Sequence, residues 1–261
     1  MGRVWLKTRF DSGMNMEIPH SHNMANAMYG FRELGAEIIP YHTIDEIYDK
    51  VTKEDIVLDY IDQCNRIFKK FGKEPHIDDY PTNFERFLGR KVWIDTIDSI
   101  SSHEEKWSAG YFVKPIRSKA FTGKVISSVK DLIGCGSCYE NYEVLVSEVL
   151  DIKAEWRCFI LYDEIIDVRP YGTLIDPKRK SHFYHYDKTV LLDMINEFKN
   201  MENRPSACSM DICVTQEGKT VLMEFNDAYA LGYYGLAPIL YAKLISARWS
   251  QILERVDEYK F

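Results

Sequence analysis

Two acidic side chains near the C-terminal end of the chain are spaced so that they could bind a cation. Residues 209–226 combine two apolar, β-branched arms with a Glu-Gly turn signal at 217–218, which is typical of a β-hairpin. With the turn there, Asp211 lies directly opposite Glu224, and Asn226 lies one step along the same face. Opposed carboxylates repel each other unless a cation lies between them, and oxygen ligands of this kind suit Mg²⁺. We therefore predict that Asp211, Glu224 and Asn226 hold Mg²⁺.

The alternative is a surface hairpin whose polar face simply meets water. The apolar residues that flank the carboxylates argue against it. Strict alternation places Leu222 on the face of Glu224 and Phe225 on the opposite face. A segment rich in glycine and tyrosine follows at 228–235, and it suits the wall of a site better than a solvated surface.

A second hairpin, predicted at 155–169, brings two arginines together. A three-residue turn at 162–164 puts Arg157 opposite Arg169, with Glu155 beside them. Facing guanidinium groups repel each other unless an anion bridges them, and arginine holds phosphate or carboxylate groups bidentately. The alternative is salt bridging to the acidic residues of the same hairpin, which are Asp163, Glu164 and Asp167.

Lysines mark a third candidate site in the middle of the chain. Residues 110–115 read as a strand with Lys114 near its end, and a basic loop follows at 117–124. Backbone N–H groups of such a loop can bind anions, whereas the alternative is an exposed basic strand edge. A basic, aromatic loop at 176–185 could be a lid over phosphates or a surface loop, and the sequence does not decide between them.

The elements that must position these residues follow from periodicity. The first 80 residues alternate strands at 3–8, 36–41 and 56–58 with helices at 23–34 and 60–71, which predicts a small α/β lobe with a parallel sheet. A helix capped by Thr82 follows, and a strand is predicted at 142–150. Further helices are predicted at 189–201 and 237–256.

Composition narrows the class of protein. The chain has 261 residues, of which 46% are hydrophobic and 28% charged, as in ordinary globular proteins. A net charge of −7 argues against general nucleic-acid binding. We find no membrane span and no secretion signal and therefore expect a cytoplasmic protein. The six cysteines suit reduced thiols. Cys135 and Cys138 have zinc-knuckle spacing, but the second pair that a zinc site needs is missing, and any function of this pair stays open.

Taken in order, the motifs over roughly residues 85–245 resemble the ATP-grasp superfamily. In that family an Asp on one strand, a Glu on the next and an Asn two residues later hold the Mg²⁺ ions on the ATP phosphates. The resemblance implies that Lys114 contacts the phosphates of ATP. It also implies that Glu148, Val149 and Leu150 form a hinge against adenine and that Glu155 binds the ribose.

The chain is most similar to a small ATP-grasp clade named for two arginines and a lysine, which Arg157, Arg169 and Lys114 would supply. One departure concerns catalysis. The peptide-ligase branch carries a catalytic arginine two residues before the metal-binding Asp, and this chain has Ser209 there. We therefore predict that Arg157 and Arg169 are catalytic and stabilise the charge on the transferred phosphoryl group.

The resemblance implies an α+β fold in which two α+β lobes sandwich the nucleotide, preceded by a small α/β lobe. The lobes are predicted at residues 1–80, 81–146 and 147–261. The implied activity is ATP- and Mg²⁺-dependent ligation of a carboxylate to an amine through an acyl phosphate, which forms an amide or peptide bond between small-molecule or peptide substrates. The alternative is a non-ligase ATP-binding protein or a phosphotransferase. The identity of the substrates and the oligomeric state are not determined by the sequence.

Overall fold

Three four-stranded sheets organise the computed structural model, which describes residues 2–116, 120–135, 140–171 and 183–261. The described residues confirm the predicted α+β class. The strands are β1 (Val4–Asp11), β2 (Met16–Pro19), β3 (Ile38–Tyr41), β4 (Ile56–Leu58), β5 (Val92–Thr96), β6 (Tyr111–Pro115), β7 (Lys124–Ile126), β8 (Glu143–Glu148), β9 (Ile152–Leu161), β10 (Glu164–Pro170), β11 (Ala207–Thr215) and β12 (Thr220–Asp227). The α-helices are α1 (His22–Glu33), α2 (Ile44–Ile47), α3 (Ile61–Lys70), α4 (Ile97–Ser102), α5 (Lys188–Lys199) and α6 (Pro238–Ile252).

The first sheet is built around β1, which runs parallel to β3 and β4 and antiparallel to β2. The predicted parallel strands are therefore confirmed. Helix α1 begins where Ser21 accepts a hydrogen bond from the backbone N–H of Met24, which is an ordinary N-cap. β2 and α2 were not predicted from the sequence: β2 contains no buried residue, and the four residues of α2 make only about one helical turn.

The second sheet has the antiparallel order β5-β8-β6-β7. The predicted helix that Thr82 would cap is wrong: residues Thr82–Phe87 form a 3-10 helix, and Pro81 is its N-cap. Only a few residues separate Pro81 from Gly89, where φ is +63° and the helix cannot continue. A segment this short does not sustain an α-helix on its own, although it still buries Phe84 and Phe87 in the core.

The third sheet has the antiparallel order β10-β9-β11-β12 and carries the predicted metal and arginine residues. On one face Met210 and Ile212 pack with Phe198 of α5 in one apolar cluster. On the other face Phe159 belongs to a second cluster, which extends to Trp249 of α6 and into the first sheet. The lobe boundaries after residues 80 and 146 stay a prediction.

The arginine hairpin has the predicted register with a different turn. Its turn has two residues, Tyr162 and Asp163, with φ of +48° and +71°, rather than the three that were predicted. A β-bulge between Ile165 and Asp167 supplies the residue that the shorter turn lacks. Arg157 therefore still pairs with Arg169.

The metal hairpin has the same kind of irregularity. Asp211 pairs with Glu224 as predicted, but β12 has a bulge at Met223, so that Ile212 pairs with Leu222. The expectation that Leu222 shares the face of Glu224 is wrong. Leu222 and Phe225 both pack in the same apolar cluster, because the extra residue resets the alternation of side chains.

Several sequence features lie wholly or partly outside the described residues. These are Cys138, the beginning of the loop at 117–124 and most of the basic loop at 176–185. The cysteines that the structure describes are all buried free thiols. Among the described helices, none combines the length and apolar character that crossing a bilayer requires.

Candidate active site

A cleft of about 360 Å³ lies between the second and third sheets. Its lining comes from both sheets and from the segment that joins them. Predicted residues in the lining are Glu148, Val149, Leu150, Glu155, Asp211 and Glu224, and further lining residues are Tyr80, Arg90, Phe112, Val125, Ser147, Ile152, Tyr171 and Met223. The cleft is mainly apolar where β6, β7 and the joining segment meet, and it is charged where β11 and β12 meet.

The charged end of the cleft is a row of residues that crosses the third sheet. Strand pairing joins Arg169 to Arg157, Arg157 to Asp211, and Asp211 to Glu224. Directly paired side chains lie on the same face, so two cations and two anions stand side by side on four strands. The sequence predicted the pairing within each hairpin, and the contact between β9 and β11 joins the two pairs.

Arg157 and Asp211 form a buried bidentate ion pair. Arg157 Nε and Nη2 donate to Asp211 Oδ1 and Oδ2 at 2.9 and 2.7 Å. The two side chains are only 7% and 4% exposed, so the pair is largely removed from solvent. Ser209, two residues before Asp211, is fully buried and carries no charge, which leaves Arg157 as the cation next to this carboxylate.

Two tyrosines hold the guanidinium of Arg157 in place. The hydroxyl of Tyr171 lies 2.8 Å from Arg157 Nη2 and 2.5 Å from Asp211 Oδ2. Burial and the charge of Asp211 raise the pKa of Tyr171, so its hydroxyl keeps its proton and donates to the carboxylate. The ring of Tyr234 lies 4.5 Å from the guanidinium carbon and packs against Tyr171.

Lys114 reaches across the cleft from the second sheet to the metal hairpin. Its Nζ lies 2.8 Å from Glu224 Oε2 and 2.6 Å from Asp79 Oδ2. Burial alone would raise the pKa of Glu224, but Lys114, together with Asn226 and Arg157, outweighs burial and lowers that pKa. Burial raises the pKa of Asp79, and Lys114 offsets only part of that effect.

Asn226 completes the set of residues that could hold Mg²⁺. Its Nδ2 lies 2.9 Å from Asp211 Oδ2 and 3.3 Å from Glu224 Oε1, so all three predicted ligands are in contact. Two carboxylates and an amide oxygen are donors that Mg²⁺ accepts, so the donor set fits the ion. Within the described ranges no group of three or more His, Cys, Asp or Glu side chains could hold a metal. The predicted set differs from such a group in that its third ligand is an amide.

The predicted hinge joins the two sheets at the apolar end of the cleft. Glu148 ends β8, its Oε2 accepts a hydrogen bond from the backbone N–H of Lys91, and its own N–H donates to Lys91 O. Val149 and Leu150 then lead into β9. Glu155 lines the cleft nearby, and burial, together with repulsion from Asp211 and Glu224, raises its pKa.

Arg169 stands apart from the other charged residues. It pairs with Arg157 in the strand register, but its guanidinium binds Asp167 Oδ2, with Nε at 2.7 Å and Nη2 at 2.6 Å. Its side chain is 38% exposed. The salt bridge is one of the alternatives that the sequence left open, and the catalytic role of Arg169 stays a prediction.

Three site residues had no role predicted from the sequence. Tyr171 could have been found, because the register that pairs Arg157 with Arg169 also places Tyr171 opposite Glu155, and the N–H of Tyr171 does donate to Glu155 O. Asp79 and Arg90 lie in the long connection before β5, and only tertiary contacts give them a place in the site. Asp79 binds Lys114 of β6, and Arg90 binds Leu222 O of β12, 132 residues away.

A family model and several solved structures show which proteins this chain is similar to. The family model of the ATP-grasp domain, family 2 of the clade named for two arginines and a lysine, matches residues 87–244. That range holds ten of the predicted site residues, from Lys114 to Asn226. A comparison with the curated proteins gives no significant match.

Solved structures of the same architecture are similar over almost the whole chain. The macrocyclase MdnC of Microcystis aeruginosa, bound with its precursor peptide MdnA, has 10% identity and a TM-score of 0.50 over 95% of this chain and 100% of that one. D-alanine–D-alanine ligase of Bacillus anthracis, complexed with ATP, has 13% identity and a TM-score of 0.50 over 99% and 98%. N5-carboxyaminoimidazole synthase of Aspergillus clavatus has 8% identity and a TM-score of 0.51 over 98% and 78%. At these identities the likeness concerns the fold.

Proposed function

The chain belongs to the ATP-grasp superfamily, as a member of family 2 of the clade named for two arginines and a lysine, and we propose that it is an ATP-grasp ligase that joins a carboxylate to an amine. One observation carries the proposal. Two carboxylates and an amide on β11 and β12 lie together at the end of a cleft between two sheets. Two cations contact the carboxylates there, Arg157 from β9 and Lys114 from β6. The three lobes at 1–80, 81–146 and 147–261 are part of the same proposal.

The nucleotide would lie in the cleft with its base at the apolar end. Phe112, Val125 and Leu150 offer apolar surface to a flat ring there, and the backbone of 148–150 offers hydrogen-bonding groups for its edge. Glu155 lies between this end and the charged row, and a carboxylate there can accept hydrogen bonds from the hydroxyls of a ribose.

Lys114 would bind the phosphates. Its ammonium already lies at the charged end of the cleft, between Glu224 and Asp79. An ammonium group supplies three donors, so contact with a phosphate oxygen need not break both existing bonds. Asp79 can keep the lysine in place while its contact with Glu224 is released.

Asp211, Glu224 and Asn226 would hold Mg²⁺. When bound, the ion neutralises phosphate charge and polarises the phosphoryl group that is transferred. Both carboxylates already face a cation: Lys114 lowers the pKa of Glu224 and so favours its charged form, and Arg157 pairs with Asp211. Lys114 must release Glu224 when the metal binds.

Arg157 would stabilise the negative charge that develops on the transferred phosphoryl group. Its Nη2 donates to Tyr171 and Asp211, and the ring of Tyr234 covers its carbon, so the guanidinium is oriented before any ligand arrives. A donor that is oriented in advance needs no reorganisation during the reaction, which is the main source of electrostatic catalysis. Arg169 is the second proposed catalytic cation, and it would have to leave Asp167 to reach the same anion.

The proposed chemistry has two steps. A carboxylate oxygen of the first substrate attacks the γ-phosphorus of ATP, the bond to ADP breaks, and an acyl phosphate forms. The amine of the second substrate then attacks the acyl carbon, loses a proton, and displaces phosphate, which carries away the original carboxylate oxygen. Small-molecule or peptide substrates can both supply these groups.

An isotope experiment tests this function. A screen of amino acids and peptides for substrate-dependent ADP release identifies a carboxylate substrate, which is then labelled with ¹⁸O in its carboxyl group. We expect one ¹⁸O atom in each phosphate released, measured by mass spectrometry. A phosphorylated product with no amide, and unlabelled free phosphate, would instead indicate a phosphotransferase.

A further inference from the structure

Arg90 binds the backbone of β12 at the point where its bulge occurs. Arg90 Nη1 donates to Leu222 O at 2.9 Å, and Nη2 donates to Met223 O at 3.1 Å. Nη1 also donates to Leu88 O at 3.0 Å. One guanidinium therefore holds the two successive carbonyls that precede Glu224.

These carbonyls need such a partner because β12 is the edge strand of the third sheet. Its outer edge has no neighbouring strand among the described residues, and carbonyls that a bulge turns out of the ladder have no strand to accept from. The segment before β5 covers this edge instead. Phe225 N donates to Asp79 O, and Arg90 satisfies the carbonyls of Leu222 and Met223.

The chain approaches β12 closely enough to make this contact because residue 89 is glycine. A Cβ on Gly89 would lie 2.6 Å from Cγ1 of Val221, and φ at this residue is +63°. Any side chain at 89 would push the segment away from the bulge, and Arg90 with it. The ring of Tyr80 lies 5.5 Å from the guanidinium carbon of Arg90 and holds its other side.

We propose that Arg90 is a positioning residue that fixes the bulge of β12 and thereby aims Glu224 at the metal site, an assignment that rests on the proposed function. The bulge decides which way Glu224 points. Leu222 and Phe225 both face the core, and only the extra residue between them lets Glu224 and Asn226 share the face of Asp211. With Leu222 still paired with Ile212, a β12 strand without the bulge would shift the register of Glu224 by one residue and turn it to the opposite face.

Arg90 also connects the metal site to the hinge. The backbone N–H of the next residue, Lys91, donates to the Glu148 carboxylate, and the backbone N–H of Glu148 donates to Lys91 O. A two-residue segment therefore contacts the strand that carries Glu224 and the segment proposed to face adenine. Arg90 acts on the metal through β12, because its Nη1 and Nη2 groups already bind the carbonyls of Leu88, Leu222 and Met223.

Nucleotide-dependent Mn²⁺ binding tests the assignment. Mn²⁺ affinity is measured by electron paramagnetic resonance with a saturating β,γ-imido analogue of ATP, and affinity for the analogue without metal is measured by calorimetry. We expect Arg90→Met to weaken Mn²⁺ binding at least tenfold and to change metal-free analogue affinity less than threefold. Arg90→Lys, which keeps the charge and can reach one carbonyl, should weaken Mn²⁺ binding by an intermediate amount.

Arg86→Met is the matched control, because Arg86 lies on the same segment but binds Glu197 at the surface. It should leave Mn²⁺ affinity within twofold of wild type. Hydrogen exchange of residues 221–226, measured without nucleotide, should become faster in Arg90→Met and not in Arg86→Met. This second measurement reports on the bulge alone and would not respond to a role of Arg90 in binding phosphate.

The outcomes separate the two proposals. Mn²⁺ affinity within twofold of wild type in Arg90→Met, or unchanged exchange at 221–226, overturns the positioning role. If Arg90→Met does not fold, Arg90→Lys carries the same test, and wild-type Mn²⁺ affinity in that variant overturns it. If the wild-type protein binds no Mn²⁺ with the analogue, the proposed function fails instead, and the exchange measurement still decides whether Arg90 fixes the bulge.

Discussion

Replacing Arg157 by Met should destabilise the protein strongly, because it leaves a carboxylate buried without its cation. Asp211 is only 4% exposed and receives two hydrogen bonds from this guanidinium. Methionine has a similar length, so the loss is mainly one of charge and hydrogen bonding. The same variant tests the catalytic role proposed for Arg157.

The expected loss of stability depends on the hydrogen bonds that Asp211 keeps in the variant. Breaking a buried ion pair by removing one partner costs about 3–5 kcal/mol. Asp211 retains its hydrogen bonds with Tyr171 and Asn226, which places the cost at the lower end of that range. With about 2.1 cal/mol/K of unfolding entropy per residue, ~3 kcal/mol lowers Tm by about 6 °C in a chain of this length.

Thermal unfolding of two further variants checks the reasoning. Arg169→Met is the matched control, since that arginine pairs with Asp167 at the surface, with side chains 38% and 24% exposed, and should cost less than ~1 kcal/mol. The double variant Arg157→Met with Asp211→Asn removes both charges and should recover more than half of the lost Tm. Its ligase activity should be absent, because Asp211→Asn also removes a charge from the proposed metal site, and this separates stability from catalysis.

Two results would refute the argument. An Arg157→Met variant as stable as Arg169→Met would mean that Asp211 is not held as a buried anion. A double variant no more stable than the single variant would mean that the loss came from packing against Tyr234 rather than from the unpaired charge. In either case kcat of Arg157→Met remains informative, and we expect it to fall about a hundredfold, the effect of one lost transition-state donor.

Four further predictions concern the cleft. Arg169→Met should lower kcat about a hundredfold, and less than additively with Arg157→Met, if both serve one anion. Lys114→Ala should weaken ATP binding by at least ~1.5 kcal/mol in calorimetry, because it removes a charged donor to phosphate. Glu224→Gln should abolish ATP turnover and keep the fold by circular dichroism, since it removes a metal ligand and changes no volume. Glu155→Gln should raise Tm at neutral pH. Burial raises the pKa of Glu155 above 4.5, so the wild-type protein loses stability as pH rises above that value and the buried carboxyl group ionises, and the neutral amide avoids this loss.

Each of these predictions has a control variant or an outcome that would contradict it. A wild-type kcat in Arg169→Met would leave that arginine as the structural partner of Asp167. Lys124→Ala, on the neighbouring strand, should keep wild-type ATP affinity, and an equal loss in both lysine variants would remove Lys114 from the site. Glu217→Gln, in the turn of the metal hairpin, should keep turnover. The Tm gain of Glu155→Gln should disappear near pH 4, and a gain that is independent of pH would contradict the sign of the shift.

The sequence predicted both hairpins of the site with the right partners. Alternation and turn signals act between residues close in the chain, so the pairing of Asp211 with Glu224 and of Arg157 with Arg169 could be derived without a structure. The derivation succeeded although each hairpin contains an unpredicted bulge. In the arginine hairpin the turn is one residue shorter than predicted and the bulge adds one residue, so the two errors cancel. Arg157 and Arg169 are further from the turn than the bulge is, and their predicted pairing is therefore correct.

Local patterns failed where a bulge or a short segment decides the conformation. Leu222 was assigned to the wrong face because strict alternation cannot anticipate the extra residue at Met223. Thr82 was expected to cap an α-helix because capping signals do not report how little chain remains before Gly89. β2 and β5 were not predicted because neither contains a fully buried residue, whereas the shorter β4 is a continuous buried apolar run.

By itself, then, the sequence determined the chemistry available: a pair of carboxylates with an amide, a pair of arginines, and a lysine at a strand end. The tertiary structure decided which of these groups meet. Lys114 binds Glu224, which lies 110 residues further along the chain. Arg157 forms an ion pair with Asp211 instead of bridging an anion together with Arg169, and Arg90 binds the backbone of the edge strand β12. These contacts depend on how three sheets pack, and such packing is specified by the whole apolar core rather than by any local pattern of residues.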